Sequence, residues 1–572
     1  MNLRLYRTSW IVAGVGLIVA LLTLQSPQEL PEPALPTAFD TGSALDLSRE
    51  VEAVSRRRPP GGPADEASAD LIRRRFLAVP GARREGSEER VREQQFTARD
   101  AGGRLIRMRN IFLALPATES GVRGGILVVA PRDTPIGVAA GASSSGIMLQ
   151  LARFSATTVR RRPVIFVSTD GSSVGNSGIR WFLSRFSDFS IAAAVVIDGA
   201  GEGRSEDLYV WTHGGGISSG LDLIPTIERA VERAGASARF ETAPIGQVAV
   251  GALPQSFGDH APLVEAGIPA FTLSNRSDSP LRDDFGPSRE RVALAGATAT
   301  ELLGALDAAD SIREPGLGYW LNGRILRPQP LRAVALLLLL PALVMAADTW
   351  SRLRRVRGRV GGGLRGVLRR VAVIGAAVIA AHIASLLGAF AGTAAGAPPL
   401  PLDVEFGPGA VLGLALAASA GTLTYLALLH RRADTDSESE VGAALAVLVL
   451  LMLALWLVNP FAALIAAPAA HAGVLASRRW PPGAAVGLAL LVVIGPLLVI
   501  GGLASRLDES FLFSAWYAVE TTVSGARGVV LPALAVGILA CLWTLVEPIA
   551  RGWQPRALRR RRRGRSPRIA PR

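Results

Sequence analysis

The hydrophobic pattern divides this chain into two unlike parts. In the second half, apolar runs recur at residues 333–347, 371–391, 410–429, 441–458, 461–475, 483–503 and 529–545. Several approach the roughly 20 residues that cross about 30 Å of hydrocarbon. The runs at 333–347 and 461–475 are the shortest. One more run, 10–24, follows Arg4 and Arg7. With it the pattern predicts about eight membrane helices.

Between 51 and 312 the apolar runs are shorter and alternate in kind. Strand-like runs fall at 125–130, 163–168, 192–197 and 207–211. Helix-like runs fall at 69–77, 88–98, 146–154, 179–186, 220–234 and 291–308. Apolar strands separated by amphipathic helices predict a mostly parallel sheet covered on both faces. The expected organisation is a signal-anchor helix over 1–26, a Pro-rich, extended and exposed linker over 27–50, and an α/β domain over 51–312. A linker over 313–332, a seven-helix membrane region over 333–547 and an Arg-rich tail over 548–572 complete it. The stretch 56–63 (Arg-Arg-Arg-Pro-Pro-Gly-Gly-Pro) reads as a loop. The N-terminal run reads as an uncleaved anchor, because no small-x-small cleavage site follows it.

Composition agrees with a membrane protein carrying a polar domain. Mean hydropathy is +0.33, with 49% hydrophobic and 19% charged residues. All 61 Lys and Arg residues are arginine, which reads as the codon bias of a high-GC bacterial genome. The net charge of +14 would suit nucleic acid, but the arginines cluster beside apolar runs. Eight of them, from Arg352 to Arg370, lie between the first two C-terminal runs. Arg431, Arg432, Arg478, Arg479 and Arg559 to Arg563 fall after later ones. The alternate loops are poor in Arg. One topology accounts for this: both termini cytoplasmic and residues 27–332 exoplasmic, in the cell membrane. Nucleic acid is therefore not an expected partner; membrane lipid is. The single cysteine, Cys541, lies in an apolar run and allows no disulfide within the chain.

The candidate chemistry lies at the ends of the predicted strands. Asp170-Gly171-Ser172-Ser173-Val174-Gly175-Asn176-Ser177-Gly178 follows one strand and leads into a helix. It resembles the D-G-E-E-x-G-x-x-G-S turn of the co-catalytic zinc aminopeptidases, a family that includes glutaminyl cyclases. Asn110-Ile111-Phe112 resembles the family's N-V-I strand, and Ala130-Pro131-Arg132-Asp133-Thr134 its A-H-Y-D-S strand end. Residues 139–146 resemble G-A-N-D-N-A-S-G. Asp198 matches a ligand Asp, and Gly258-Asp259-His260-Ala261-Pro262-Leu263 with 266–270 matches S-D-H-x-P-F and G-I-P-A. The resemblance covers residues 73–308 and implies an aminopeptidase-like α/β fold.

It also implies what has been lost. Ser172 stands for the general base and Ser173 for a ligand Glu; Pro131 stands for a ligand His and Ala142 for the bridging Asp. The region 277–285 lacks the last ligand His. Asp198 is the one ligand position that keeps a metal-binding side chain, and Asp133 supports a ligand without binding metal in the family. Serine is a poor zinc ligand and no base without a partner. The expectation is thus no catalytic residue, no metal and no cofactor, with Asp133, Asp198, Asp259 and His260 as candidates lining a binding cleft.

Other chemistry has to be weighed. The serines at 143–145 and 172–173, with His260 and Asp198 or Asp259, would suit a Ser-His-Asp hydrolase or transferase, but no G-x-S-x-G elbow is present. His260 reads as structural and His213 as a loop residue. His382, His430 and His471 lie in or at the ends of membrane helices, where an ionisable group is a functional candidate. Asp403 and Glu405 are assigned to one outer loop, and Arg506, Glu509 and Glu520 to another. The layout, with one N-terminal helix, a degenerate peptidase-like outer domain and further helices, resembles the attachment subunit of the glycosylphosphatidylinositol transamidase. The expected function is a pseudoenzyme scaffold that binds or presents a peptide, a lipid-linked ligand or a partner protein. A transporter with an accessory outer domain is the remaining alternative.

Overall fold

In the computed structural model, the described residues are 3–33, 38–82, 90–119, 122–186, 190–203, 205–218, 221–240, 243–253, 256–277, 286–355, 360–392, 397–429, 437–476, 482–525 and 528–550. The chain begins with helix α1 (Leu3–Leu21) and continues through α2 (Thr41–Val54) and α3 (Pro63–Leu77). Strands β1 (Val91–Arg99), β2 (Leu105–Leu115) and β3 (Gly125–Pro131) precede α4 (Ser143–Thr157). Then come β4 (Val164–Thr169), α5 (Ser177–Arg185), β5 (Ile191–Ile197) and β6 (Leu208–Trp211). A small hairpin, β7 (His213–Gly214) and β8 (Ile217–Ser218), leads to α6 (Ile224–Arg233), β9 (Ala238–Phe240) and α7 (Pro244–Ala252). The domain closes with α8 (His260–Glu265), β10 (Ala270–Ser274) and α9 (Arg289–Ala308).

Eight strands form one mixed sheet in the order β1-β2-β4-β3-β5-β10-β6-β9. The centre is parallel: β4, β3, β5 and β10 run together. β1, β2 and β6 pair antiparallel with their inner neighbours. Alternation along the central strands explains the two covered faces. Ile126, Val128 and Ala130 join Phe166, Val195 and Ile197 in the core beneath α2, α3, α4 and α9. Leu127, Val129, Ile165, Val167 and Val196 join Ile179 and Phe182 of α5 on the other side. Successive side chains point to opposite faces, so these runs are apolar at every position.

Two expectations change. Residues 88–98, expected as a helix, hold the edge strand β1; Gln94 pairs with Asn110 and Phe96 with Met108. Glu, Arg and Gln favour a helix locally, but pairing with β2 buries Val91 and Phe96, and tertiary context wins. The sheet keeps the expected parallel majority, four pairings of seven, with three antiparallel ones. The stretch expected as an exposed linker carries α2 from Thr41, capped by Asp40 accepting from the Ser43 amide at 3.0 Å. Before it, Leu30 is buried and its amide donates to Thr226 Oγ1 at 3.1 Å.

The second part is helical. α10 (Pro328–Arg355), α11 (Val360–Leu386), α12 (Pro408–Leu429), α13 (Ser437–Val458) and α14 (Pro460–Ala476) are followed by α15 (Pro482–Leu507), α16 (Phe511–Val523) and α17 (Val530–Ala550). Among the described residues seven helices are long and apolar enough to cross a membrane: α1, α10, α11, α12, α13, α15 and α17. Pro460–Ala476 is shorter and equally apolar. α16 was not expected. It takes Glu520 out of a loop and buries it, and Arg506 is likewise buried in the last turn of α15. His430, Arg431, Arg432, Arg478, Arg479, the tail arginines and the side chains of residues 353–361 lie outside the described residues.

The two parts are joined by specific contacts. Hairpin β11 (Tyr319–Leu321) and β12 (Arg324–Leu326) receives the strand leaving α1, with Gln25 and Ile325 exchanging backbone bonds of 3.0 and 2.8 Å. Arg327 grips Asp222 with two bonds of 2.7 Å. α7 lies against α14 and α15, and Asn459 Nδ2 donates to the Gly251 carbonyl at 2.9 Å. His471 ties three membrane helices: Nε2 donates to the Leu338 carbonyl at 2.8 Å, so Nδ1 accepts from Tyr6 at 3.0 Å, with Trp10 stacked on the ring.

Gly146 is where α4 meets α2 most closely. A Cβ there would collide with Ser48 Oγ and the Ala44 carbonyl. Gly146→Val is expected to cost about 1–3 kcal/mol, read as a lower thermal-unfolding midpoint of the full chain in detergent. An unchanged midpoint would contradict this packing.

Candidate functional site

The cleft sits at the C-terminal ends of β3, β4 and β5, where open α/β sheets bind ligands. Its inner chamber of about 80 Å³ is lined by the β4–α5 turn, the start of α4 and the loops after β3, β5 and β10. The β4–α5 turn is held in place by Asn110. Its Nδ2 donates to the Gly178 carbonyl at 2.8 Å, and its Oδ1 accepts from the Asp170 amide at 3.2 Å. Gly178 cannot carry a side chain, because a Cβ would strike the Asp170 carbonyl. Asn176 takes the left-handed conformation, φ 55°, that ends the turn.

The turn presents two successive amides to a single carboxylate. Ser172 N and Ser173 N donate to the two oxygens of Asp133 at 2.9 and 3.0 Å, and Ser173 Oγ adds a bond of 2.6 Å. Successive amides make a small anion nest. Burial holds the Asp133 carboxyl above its ordinary range, and the Ser173 bonds work against that. Ser173, at the position expected for a ligand, therefore serves to fix the strand end.

Asp198, which the sequence resemblance puts at a ligand position, is taken by an arginine. Arg276 Nη2 bonds its Oδ1 at 2.8 Å, and the guanidinium lies 5.8 Å from the Trp211 ring. Pro131 ends β3 and lines the chamber without a donor atom. Ala142 is the N-cap of α4 and makes no side-chain cap bond. Glu202 supplies the cap instead: it accepts from the Ser143 amide at 2.9 Å and from the Ser143 hydroxyl. Burial raises the Glu202 carboxyl. Arg58 faces it from below, fully buried. Its Nε donates to the Arg132 carbonyl at 2.8 Å and its Nη2 to the Gly141 carbonyl at 2.6 Å; burial lowers its pKa and Glu202 opposes that.

Asp259 and His260 lie behind this layer. Asp259 Oδ2 accepts from Thr169 at 2.6 Å, and its buried Oδ1 makes no hydrogen bond among the described residues, with the Ser172 hydroxyl nearby. Burial, then Asp133 and Asp198, pushes its carboxyl up to about 7. His260 is buried; Thr272 engages Nδ1 at 2.8 Å and Ser256 engages Nε2 at 3.1 Å. The three groups of a Ser-His-Asp relay thus sit in separate pairings: Ser173 with Asp133, His260 with Thr272 and Ser256, Asp198 with Arg276. Deeper still, Arg132 is buried between Asp65 at 2.8 Å and Asp170 at 3.3 Å. His213 lies in the β7–β8 hairpin, 3.3 Å from Thr212 Oγ1. Residues 278–285, which cover most of the region without a histidine, lie outside the described residues.

The residues present do not fit a zinc pair. Asp133 is bonded to amides, Asp198 to a guanidinium and Glu202 to a helix start, and two arginines line the chamber where cations would have to sit. Among the described residues no group of three or more His, Cys, Asp or Glu side chains is arranged to hold a metal. Sequence reading missed Arg58, Glu202 and Arg276. Arg58 lies in a stretch correctly read as a loop; a Gly-flanked carboxylate just past Asp198 was the one available signal for Glu202.

No protein-family model matches the chain, and no curated protein does. In structure it is similar to a glutaminyl cyclase from an Acidobacteriales bacterium, at 18% identity and a TM-score of 0.38, over 49% of this chain and 99% of the cyclase. A zinc aminopeptidase from Bacillus subtilis is similar at 14% identity and a TM-score of 0.36, over 50% of this chain and 99% of its own. A leucine aminopeptidase precursor from Bacteroides thetaiotaomicron is similar at 15% and 0.37, over 47% and 98%.

Asp259 makes stability pH-dependent with a definite sign. Its folded pKa lies above the ordinary 3.8, so the folded state holds the proton more tightly. The stabilisation is complete below about pH 4 and is lost as pH rises through about 7. Asp259→Asn, which keeps an acceptor for Thr169, is expected to flatten the decline in chemical-unfolding stability over that window. A decline as steep as the wild type would contradict the assignment. Arg276→Gln is expected to cost about 1–3 kcal/mol by leaving Asp198 without its cation, and Asp198→Asn in the same chain to recover part of it.

Proposed function

We propose that this chain is a multi-pass membrane protein whose zinc-peptidase-like α/β domain lies on the exoplasmic side and binds or presents a ligand or partner without hydrolysing it. The observation that carries this reading is the commitment of the cleft's carboxylates to the protein itself. Asp133 is held by the 172–173 amides and Asp198 by Arg276. A hydrolase of this type needs a base and metal-held water; here serines replace the base, and guanidinium groups supply the positive charge.

Arginine placement supports this orientation. Arg352, Arg365, Arg369 and Arg370 lie toward the ends of α10 and α11 that face away from the α/β domain, as the positive-inside rule requires of a cytoplasmic side. The layout of one N-terminal helix, an outer domain and a C-terminal bundle is similar to that of the glycosylphosphatidylinositol transamidase attachment subunit, and a presenting role agrees with it. Transport through the bundle finds less support, because His471 is occupied by Tyr6 and Leu338 and reads as a structural tie.

The test uses the full chain in detergent with added zinc. Metal content after desalting and hydrolysis of aminoacyl and N-terminal glutaminyl substrates would be measured beside Asp198→Ala and His260→Ala. The expected result is no stoichiometric zinc and no turnover above background. Stoichiometric zinc, or turnover abolished by either substitution, would overturn the reading.

A further inference from the structure

The short helix α16 is built inside out. It starts after Ser510, whose hydroxyl accepts from the Phe513 amide at 3.2 Å, and runs 13 residues to Val523. At about 100° per residue its positions divide into two sides. Ser514, Tyr517, Glu520 and Thr521 share one side and are buried. Phe511, Leu512, Ala515 and Val519 share the other; Leu512 is 80% exposed, Phe511 47% and Val519 41%. Thr522 is the polar residue on that outward side, and its hydroxyl donates to the Ala518 carbonyl at 2.7 Å, within the helix itself. A surface helix in water shows the reverse arrangement, with its apolar side inward and its polar side outward.

The inward polar groups hold the α11–α12 connector, the stretch 387–407. Tyr517 donates to the Pro399 carbonyl at 2.8 Å, and the Ala391 amide donates to the Glu520 carboxylate. The Tyr517 ring packs with Val404, Leu503 and Leu507 and lies 6.4 Å from the ring of Phe257 in the α/β domain. His382 of α11 closes the end of the helix, its Nδ1 donating to the Val523 carbonyl at 2.8 Å. These contacts account for polar side chains pointing inward. The apolar side is what they leave exposed.

Position and composition identify what covers that side. α15 ends beside the α/β domain, where a Cβ on Gly502 would strike Ala249 of α7. α17 begins on the same side. Glu547 near its far end meets Arg370 of α11, which also reaches Glu440 at the start of α13, whereas Asn459 just past the end of α13 bonds the domain. α16 therefore joins two candidate spans on the domain side. Its 13 residues rise about 20 Å, short of the roughly 30 Å of a hydrocarbon core. The exposed apolar surface continues along the chain at Val529 and Val530, where the span α17 begins. A side facing water would carry charge, and from Phe511 to Val523 the buried Glu520 is the one charged residue. In hydrocarbon, polar groups have to be satisfied within the protein, as the Thr522 hydroxyl is.

We propose that α16 is seated in the membrane leaflet on the α/β-domain side. Its Phe511, Leu512, Ala515 and Val519 side lies against acyl chains, and its polar side holds the connector whose Leu400 lines the inner chamber. The inference goes beyond the binding role of the domain and rests on the reading of the bundle as membrane-spanning. The test uses the full chain carrying Cys541→Ala in phosphatidylcholine liposomes, with one spin label at a time. Labels are attached through Leu512→Cys, Val519→Cys, Leu416→Cys on the exposed face of the span α12, and Val159→Cys on the exposed surface of the α/β domain. Collision rates are read with oxygen, which concentrates in lipid, and with a water-soluble nickel chelate. The labels at 512 and 519 are expected to favour oxygen over nickel, as the label at 416 does but at shallower depth, and the label at 159 to show the reverse preference. Nickel preference at 512 and 519 with oxygen preference at 416 would overturn this proposal and leave the spanning reading intact. Nickel preference at 416 as well would overturn both. Low collision with both reagents, together with broadening between labels of neighbouring molecules, would put a second copy on this side and overturn the proposal too. If Leu512→Cys fails to fold, Val519→Cys and Ala515→Cys on the same side decide.

Discussion

One carboxylate and two consecutive amides set the character of this cleft. Asp133 at the end of β3 receives the amides of Ser172 and Ser173 from the turn after β4, so the neighbouring strand ends are pinned to each other. A carboxylate holding these bonds in a buried setting has little left to offer an ion. The rest of the site is arranged in the same manner. Asp198 is matched by Arg276, and Glu202 caps α4 where Ala142 cannot. Each negative group has been given a protein partner, which is how buried charge is tolerated at all. Asp259, whose Oδ1 makes no hydrogen bond among the described residues, holds its proton nearer to neutrality because it is buried.

The same economy extends to the junction with the membrane helices. The α/β domain is anchored at three places that lie far apart in sequence. The strand after α1 pairs with β12, Asp222 accepts Arg327 just before α10, and α7 sits on α14 and α15. Leu400 of the α11–α12 connector and Phe257 of the α/β domain both line the inner chamber.

The sequence made some of this legible and hid the rest for physical reasons. β3, β4 and β5 are continuous apolar runs because both faces of the central sheet are covered, and that signal is local. β1 was read as a helix because Glu, Arg and Gln dominate it; its identity comes from pairing with β2. α2 was hidden beside a Pro-rich stretch, although Asp40 three residues before Ser43 is an N-cap signal. The turn at 170–178, with Pro131, Ala142, Ser172 and Ser173 placed near the strand ends, was readable as a pattern. The charged partners around it were not. Arg58, Glu202 and Arg276 reach the cleft through loops, and their pairings join residues dozens of positions apart. α16 was missed because thirteen residues are too few to register as a span, yet it carries the Tyr517 contact.

The claim that the cleft's charges are satisfied from within is tested most directly by a high-resolution map of the full chain prepared in excess zinc, with data collected to locate the metal. Asp133 on the 172–173 amides and Asp198 on Arg276, with no metal peak in the inner chamber, is the predicted result. A metal peak bridging Asp133 and Asp198, with Arg276 turned away, would contradict it.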